Sequence, residues 1–415
     1  MALCLIGTLL QTCGVSAAEA KNARPDVLFI AIDDLNDWIG CLAGHPQART
    51  PDIDTLASSG TLFTNAHCQG LICGPSRVSL LSGSYPFTTG LYQQPNKRDM
   101  QLGTKHFHRH LLPQYFAQHG YETLAVGKIC HGDPDDMAFQ SYGSKWQGFG
   151  PKPPDGHRFN YQLPDVPWTG TQTDWGVFPD VDSRMPDHQA AAWAERQLAI
   201  QHDKSFFPAV GFIRPHVPFY VPQKWFDMFP LDDIQLPDVR RDDIDDVPRI
   251  SRQMHELPKY PPPDYLQSDD NRQLRLCVRS YLACTVFVDH PVGRVLEALA
   301  FSQHVDNTII CLCSDHGYHL GEKTRMFKHT LRAASTRVPL IVVQPDVRKG
   351  LRIDMPVGLI DLYRTLVEMC GLPGKTFNEG VSLVPLLNRS QPEWRSAIPT
   401  TYARGSQSLR SRRRK

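Results

Sequence analysis

At 415 residues the chain is long enough to bury a large core, either as one big α/β domain with a smaller appendage or as two domains. Its 44 lysines and arginines almost cancel 43 aspartates and glutamates, which removes any global electrostatic case for nucleic acid or an anionic membrane and leaves only a local anion pocket open. The 11 cysteines are an odd number, widely spread, with no close pair of pairs at zinc-finger spacing; if the chain is exported some of them can pair.

Residues 1–20 carry an apolar stretch and then Ser16-Ala17-Ala18-Glu19-Ala20, small residues that offer an A-x-A-like cleavage site. They read as a secretory signal without a basic start, so an exported protein, periplasmic or secreted, is expected. No later apolar run is long enough to span a bilayer, and the mature chain is expected to be soluble.

Residues 26–32, Asp-Val-Leu-Phe-Ile-Ala-Ile, form a short β-branched run that predicts a fully buried strand of a parallel sheet. It stops at Asp33 and Asp34. Ligand sites of open α/β sheets lie beyond the carboxyl ends of strands, so this pair can hold a cation, although aspartates also fill turns and helix caps there. Thr50 and Pro51 then open a helix that Gly60 closes, and residues 62–66 predict a strand.

That strand leads into Cys73-Gly74-Pro75-Ser76-Arg77, which runs on into a helix. A cysteine, a proline two residues on and an arginine two further resembles the maturation signature of the type I sulfatases, in which the cysteine is oxidised to formylglycine. An ordinary nucleophile attacking sulfur would leave a covalent sulfo-enzyme that is hard to discharge. A hydrated aldehyde has two hydroxyls on one carbon, so one can attack and the other can expel sulfate and restore the aldehyde.

The resemblance continues in chain order. Residues 113–120 predict a helix and 121–126 a strand ending at Gly127-Lys128-Ile129-Cys130-His131, similar to the second sulfatase signature except that Cys130 stands where a bulky residue is usual. From 133 to 187 the chain is rich in proline, glycine and tryptophan without a period, which predicts packed loops over the pocket mouth, with Trp146, Trp168 and Trp175 filling core. After a helix over 187–198, the strand at 206–213 ends at Arg214-Pro215-His216, where members of the iduronate-2-sulfatase type carry lysine-proline-histidine.

Residues 230–270 predict an extended acidic, proline-rich connection, and 271–302 a helix that Pro291 should kink or break near Asp289. The buried strand at 307–313, with Cys311 and Cys313 as packing residues, ends at Ser314-Asp315-His316-Gly317. Lys328 comes next, at the position of the family's sulfate-side lysine, with Lys323, Arg325 and Arg332 near enough to compete for it. Residues 338–343 predict another strand and 358–366 another helix. The basic end, residues 410–415, reads as a solvated tail where the family continues into a small antiparallel sheet.

The resemblance covers about residues 25–390 and implies an α/β, alkaline-phosphatase-like sandwich: a large, mostly parallel central sheet flanked by helices, its small C-terminal antiparallel sheet largely missing. With the signal read over 1–20, it implies a catalytic domain over 22–387 and a truncated tail over 388–415 that leads to an absent subdomain. It further implies one calcium ion held by Asp33, Asp34, Asp315, His316 and oxidised Cys73. Arg77 steadies the hydrate, Lys128 and Lys328 clamp the sulfate, His216 protonates the leaving alcohol, and His131 draws the proton that lets the aldehyde reform. The implied activity is sulfate ester hydrolysis on sulfated polysaccharide or glycosaminoglycan-type sugars, with a formylglycine-generating maturation enzyme as partner. The alternatives are a phosphonate or phosphate monoester hydrolase of the same superfamily, or an inactive truncated sulfatase-like protein.

Overall fold

The computed structural model describes residues 24–95, 111–131, 139–144, 148–161, 173–239, 242, 245, 261–345, 350–374, 377–390 and 393–412. The expected signal at 1–20, Trp146, Trp168 and residues 240–241, 243–244 and 246–260 of the expected connection lie outside the described residues.

The apolar run Asp26–Ile32 is strand β1, buried along its whole length. Alternate side chains of a strand point to opposite faces. Val27, Phe29 and Ala31 enter one core and Leu28, Ile30 and Ile32 the other. Both faces are covered, which is why the run is continuously apolar and not alternating.

β1 sits inside an eight-stranded sheet. The other strands, in chain order, are β2 (Thr61–Phe63), β3 (Glu122–Gly127), β4 (Ser141–Tyr142), β5 (Phe206–Phe212), β6 (Thr308–Ser314), β7 (Leu340–Val343) and β8 (Leu351–Ile353). Their spatial order is β8-β2-β7-β6-β1-β5-β3-β4. Every pairing is parallel except those of β7, which runs against both neighbours. The register aligns the strand ends: Ile32 lies opposite Phe212 on one side and Ser314 on the other, and Gly127 opposite Gly211. The residues after β1, β3, β5 and β6 therefore leave the sheet side by side along one edge.

One face is covered by α1 (Pro51–Ser59), α4 (Pro186–Leu198) and α5 (Ser268–Ala300), through Ile53, Leu56, Ala190, Ala194, Val288, Val292 and Val295. The other carries α2 (Cys73–Ser82), α3 (Leu112–Gln118) and α6 (Asp361–Met369), through Leu80, Leu81, Leu112, Phe116, Leu362 and Leu366. Thr50 and Gly60 flank α1 as the sequence predicts, but the Thr50 side chain makes no capping bond. The carboxylate of Asp289, from α5, accepts the amides of Asp52 at 3.1 Å and Ile53 at 2.9 Å instead.

Two expectations are corrected. The long helix does not break at Pro291; its only non-helical backbone angles are at Asp269, Asp270 and Asn271. Proline costs a helix one backbone bond, and the buried row Val288, Val292 and Val295 packs against the sheet on both sides of it and holds the helix in place. The basic end is not a free tail up to Ser411. Strands β9 (Ala397–Ala403) and β10 (Ser406–Ser411) form an antiparallel hairpin, and Thr400 Oγ1 donates to the Cys68 carbonyl at 2.6 Å. Trp175 is fully buried in a third core, as a core-filling residue should be. All cysteines among the described residues are free, and no helix among them is long and apolar enough to cross a membrane.

Candidate active site

The shared sheet edge delivers the site. Asp33 continues β1, its amide donating to the Phe212 carbonyl at 3.1 Å. Asp34 then adopts a left-handed φ of 63°, a conformation that aspartate tolerates better than most side chains, and this turn sends its carboxylate back over the strand ends. Gly127 and Gly211, paired across β3 and β5, leave no room for a Cβ: one at Gly127 would strike the Gly211 carbonyl, and one at Gly211 the Lys128 backbone. That close approach sets Lys128 beside Asp33. Lys328 lies between Phe327 (φ 122°) and His329 (φ 68°), two strained positions of a kind that clusters at functional sites.

Cys73 opens α2 and is buried, 1% exposed. Its Sγ lies 3.5 Å from Lys128 Nζ, 3.5 Å from Lys328 Nζ and 3.3 Å from His316 Nε2, and His131 hydrogen-bonds it. One turn along the same helix face, Arg77 donates from Nε to Asp315 Oδ2 at 2.8 Å and faces Asp33 Oδ1 from Nη2 at 3.4 Å. Its Nη1 donates to the carbonyls of Lys128 and Ile129. Lys128 pairs with Asp33 Oδ2, and Lys328 with Asp34 Oδ1 at 2.6 Å. His216 donates from Nδ1 to the Val217 carbonyl at 2.6 Å, leaving Nε2 3.8 Å from Asp34 Oδ2. His316 likewise spends Nδ1 on the Gly317 carbonyl at 3.1 Å. A carbonyl can only accept, so in both rings Nδ1 carries a proton and Nε2 faces the cluster.

Three buried carboxylates thus face three buried cations around one thiol. Burial pushes the Cys73 thiol up, but Lys128, Lys328, His316 and the His131 hydrogen bond outweigh it and hold the thiol well below its ordinary value. Burial and Cys73 push Asp33 up, and Lys128, His216 and Arg77 win, holding its carboxyl below the usual range. Burial pushes His316 down, while Asp315, Asp34 and Cys73 raise it to about 9 against Lys328.

The donor atoms also suit a cation. Ligand atoms of Asp33, Cys73, Asp315 and His316 lie within 4.8 Å of one another, as do those of Asp33, Asp34, Cys73 and His216. Asp34 Oδ2 is buried and has no hydrogen-bond partner. Carboxylate oxygens from three positions with one left unsatisfied are what a hard divalent ion such as calcium takes. The residues fit one.

The sulfatase family pattern matches residues 25–372. The chain belongs to the sulfatase family. A sulfatase of Formosa agariphila is 40% identical over 418 aligned residues, covering 98% of this chain and 82% of that protein. Mouse iduronate 2-sulfatase is 33% identical over 407, covering 87% of this chain and 70% of that one. In fold, this sulfatase is similar to the crystal structure of a phosphonate monoester hydrolase of Agrobacterium radiobacter, with a TM-score of 0.70 at 22% identity over 91% of this chain and 80% of that chain.

The ten residues singled out in the sequence of this sulfatase, Asp33, Asp34, Cys73, Arg77, Lys128, His131, His216, Asp315, His316 and Lys328, meet at this one edge. Several further neighbours complete the site. Ser76 Oγ donates to the Asp315 carbonyl, and Gln94 Oε1 accepts the Gly74 amide at 2.8 Å. Tyr281 on α5 donates to the Asp34 carbonyl at 2.8 Å and accepts the Asn36 amide at 2.9 Å. The Phe149 ring stacks on His216. Ser76 lies inside the signature at 73–77 and could have been named; the others reach the site from distant loops and a helix with no local signal.

Proposed function

We propose that this sulfatase hydrolyses sulfate esters on sugars, with residue 73, oxidised from cysteine to formylglycine, as its nucleophile. The observation that carries the reading is the placement of Cys73 Sγ within 3.5 Å of two lysine ammonium groups and 3.3 Å of His316 Nε2, in a pocket walled by carboxylates. Oxidised residue 73 supplies a geminal diol, one hydroxyl to attack sulfur and one to expel sulfate afterwards. A calcium ion held by Asp33, Asp34, Asp315, His316 and residue 73 supplies positive charge for the sulfate oxygens.

The chain's own residues do the rest. Lys128 and Lys328 approach the nucleophile from two sides, so a bound sulfate meets charge that is already aimed and needs no reorganisation. Arg77 reaches back along α2 to hold Asp315 and Asp33 at fixed spacing. His216 presents Nε2 to the departing oxygen, and His131, beside residue 73, accepts the hydrate proton that releases sulfate. The likeness to iduronate 2-sulfatase supports a sulfated sugar as substrate. The test is turnover of 4-nitrophenyl sulfate and sulfated disaccharides by protein made with a formylglycine-generating enzyme, beside Cys73→Ala. Loss of all turnover in the variant is expected, and retained turnover excludes this nucleophile. An aryl phosphonate run alongside separates sulfate from phosphonate specificity.

A further inference from the structure

Outside the ligand cluster, one contact acts on a reacting group from a segment with no motif of its own. The ring of Phe149 lies 4.3 Å from the His216 imidazole, the two planes within 25°, and the Lys128 ammonium sits 4.8 Å from the centre of the same ring. Arg214 anchors this arrangement. Its buried guanidinium donates to three backbone carbonyls: Nε to Tyr220 at 2.9 Å, Nη1 to His216 at 3.0 Å and Nη2 to Phe149 at 2.9 Å. Asp187, at the start of α4, accepts the amides of Ile213 and Arg214 and fixes where that fork begins.

We infer that Phe149, clamped by Arg214, is a positioning residue that holds the His216 ring in the orientation needed to deliver a proton to the leaving oxygen. The His216 Nδ1 bond to Val217 restrains one edge of the imidazole, and the Phe149 face blocks its tilt away from the pocket. The planar fork of Arg214 explains how one side chain ties the His216 loop to residue 149, since a lysine ammonium is a point charge that cannot serve three carbonyls in a plane. As the S–O bond breaks, its electron pair stays on the leaving oxygen and the proton on His216 Nε2 moves to that atom. The inference rests on reading His216 as this donor.

Leaving-group dependence tests it, because an acidic phenol departs without a proton while an alcohol or weakly acidic phenol needs one. Turnover is measured for wild type, Phe149→Leu, Phe149→Tyr, Arg214→Lys and His216→Ala over aryl sulfates of rising phenol pKa and one alkyl sulfate. Phe149→Leu is expected to lose about tenfold on the poorest leaving groups and under about threefold on 4-nitrophenyl sulfate, since misplacing a group that supplies a 10²–10⁴-fold effect forfeits part of it. Phe149→Tyr keeps the flat ring and recovers the wild-type slope. Arg214→Lys shows the same steepened slope as Phe149→Leu, which keeps the test readable should either variant fold poorly. A uniform loss across the series in both variants, or an unchanged slope, overturns the role of Phe149. A His216→Ala protein that shows no leaving-group selectivity overturns the reading of His216 itself.

Discussion

Replacing Asp33 with asparagine keeps the shape of the side chain and removes one charge from the middle of the cluster. Arg77 retains its 2.8 Å bond to Asp315, so the loss falls mainly on Lys128, whose ammonium is fully buried and paired with Asp33. Breaking a buried pair by removing one partner costs about 3–5 kcal/mol, because the remaining charge stays out of water. Unfolding entropy of about 2.1 cal/mol/K per residue, taken over 415 residues, makes each kcal/mol worth roughly 1 °C, so the melting temperature should fall by about 3–6 °C. Scanning calorimetry of both proteins in chelator measures it. The pH dependence has a definite sign. The Asp33 carboxyl titrates below its unfolded value of about 3.9, so its contribution is present above that pH and is lost on acidification through the lower folded value, where the two proteins should converge. An unchanged or raised melting temperature for Asp33→Asn at neutral pH would refute the picture of a charged, buried Lys128–Asp33 pair.

Lys128→Ala and Lys328→Ala should each lower kcat by about 10²–10³-fold, the cost of losing one pre-aimed charge, and a change confined to KM would reassign that lysine to substrate binding. Calcium at a hundred times its dissociation constant should stabilise the wild type by about 2.7 kcal/mol, a rise of roughly 3 °C, and should stabilise Asp33→Asn less; a melting temperature indifferent to calcium contradicts the cation site. Burial pushes the Asp289 carboxyl up to about 7, against the two amides of α1 that it accepts. The folded chain then keeps a proton that the unfolded chain releases near pH 4, so stability falls as pH rises from about 4 to 7. Urea unfolding across that window should show the decline in wild type and a flatter profile in Asp289→Asn; equal slopes would count against it.

The features legible in the sequence were those that depend on neighbours along the chain. Residues 26–32 announce a strand with two buried faces, and the acidic or basic residues that end such runs mark the edge where β1, β3, β5 and β6 stop together. The order of Asp33, Cys73, Lys128, His216 and Asp315 was legible because each comes after a strand or within a short signature. Features that depend on contacts between distant segments were hidden. The cap on α1 comes from Asp289, 236 residues from Ile53, and a local search could only offer Thr50. Pro291 reads as a breaker until the buried valines around it are known to pack on the sheet. Phe149 belongs to a glycine- and proline-rich run without period, and its meaning lies in a ring 67 positions further on. Arg214 reads as a replaced lysine, yet its fork holds three carbonyls.

Conversion of the Cys73 thiol to an aldehyde is best tested on the tryptic peptide Thr50–Arg77, weighed in protein made with and without a formylglycine-generating enzyme and compared with aryl sulfate turnover by the same samples. A peptide in which the CH2SH of residue 73 has become CHO, with turnover rising in proportion to the converted fraction, is the predicted result. Equal turnover from a sample in which every copy still carries the thiol would contradict it.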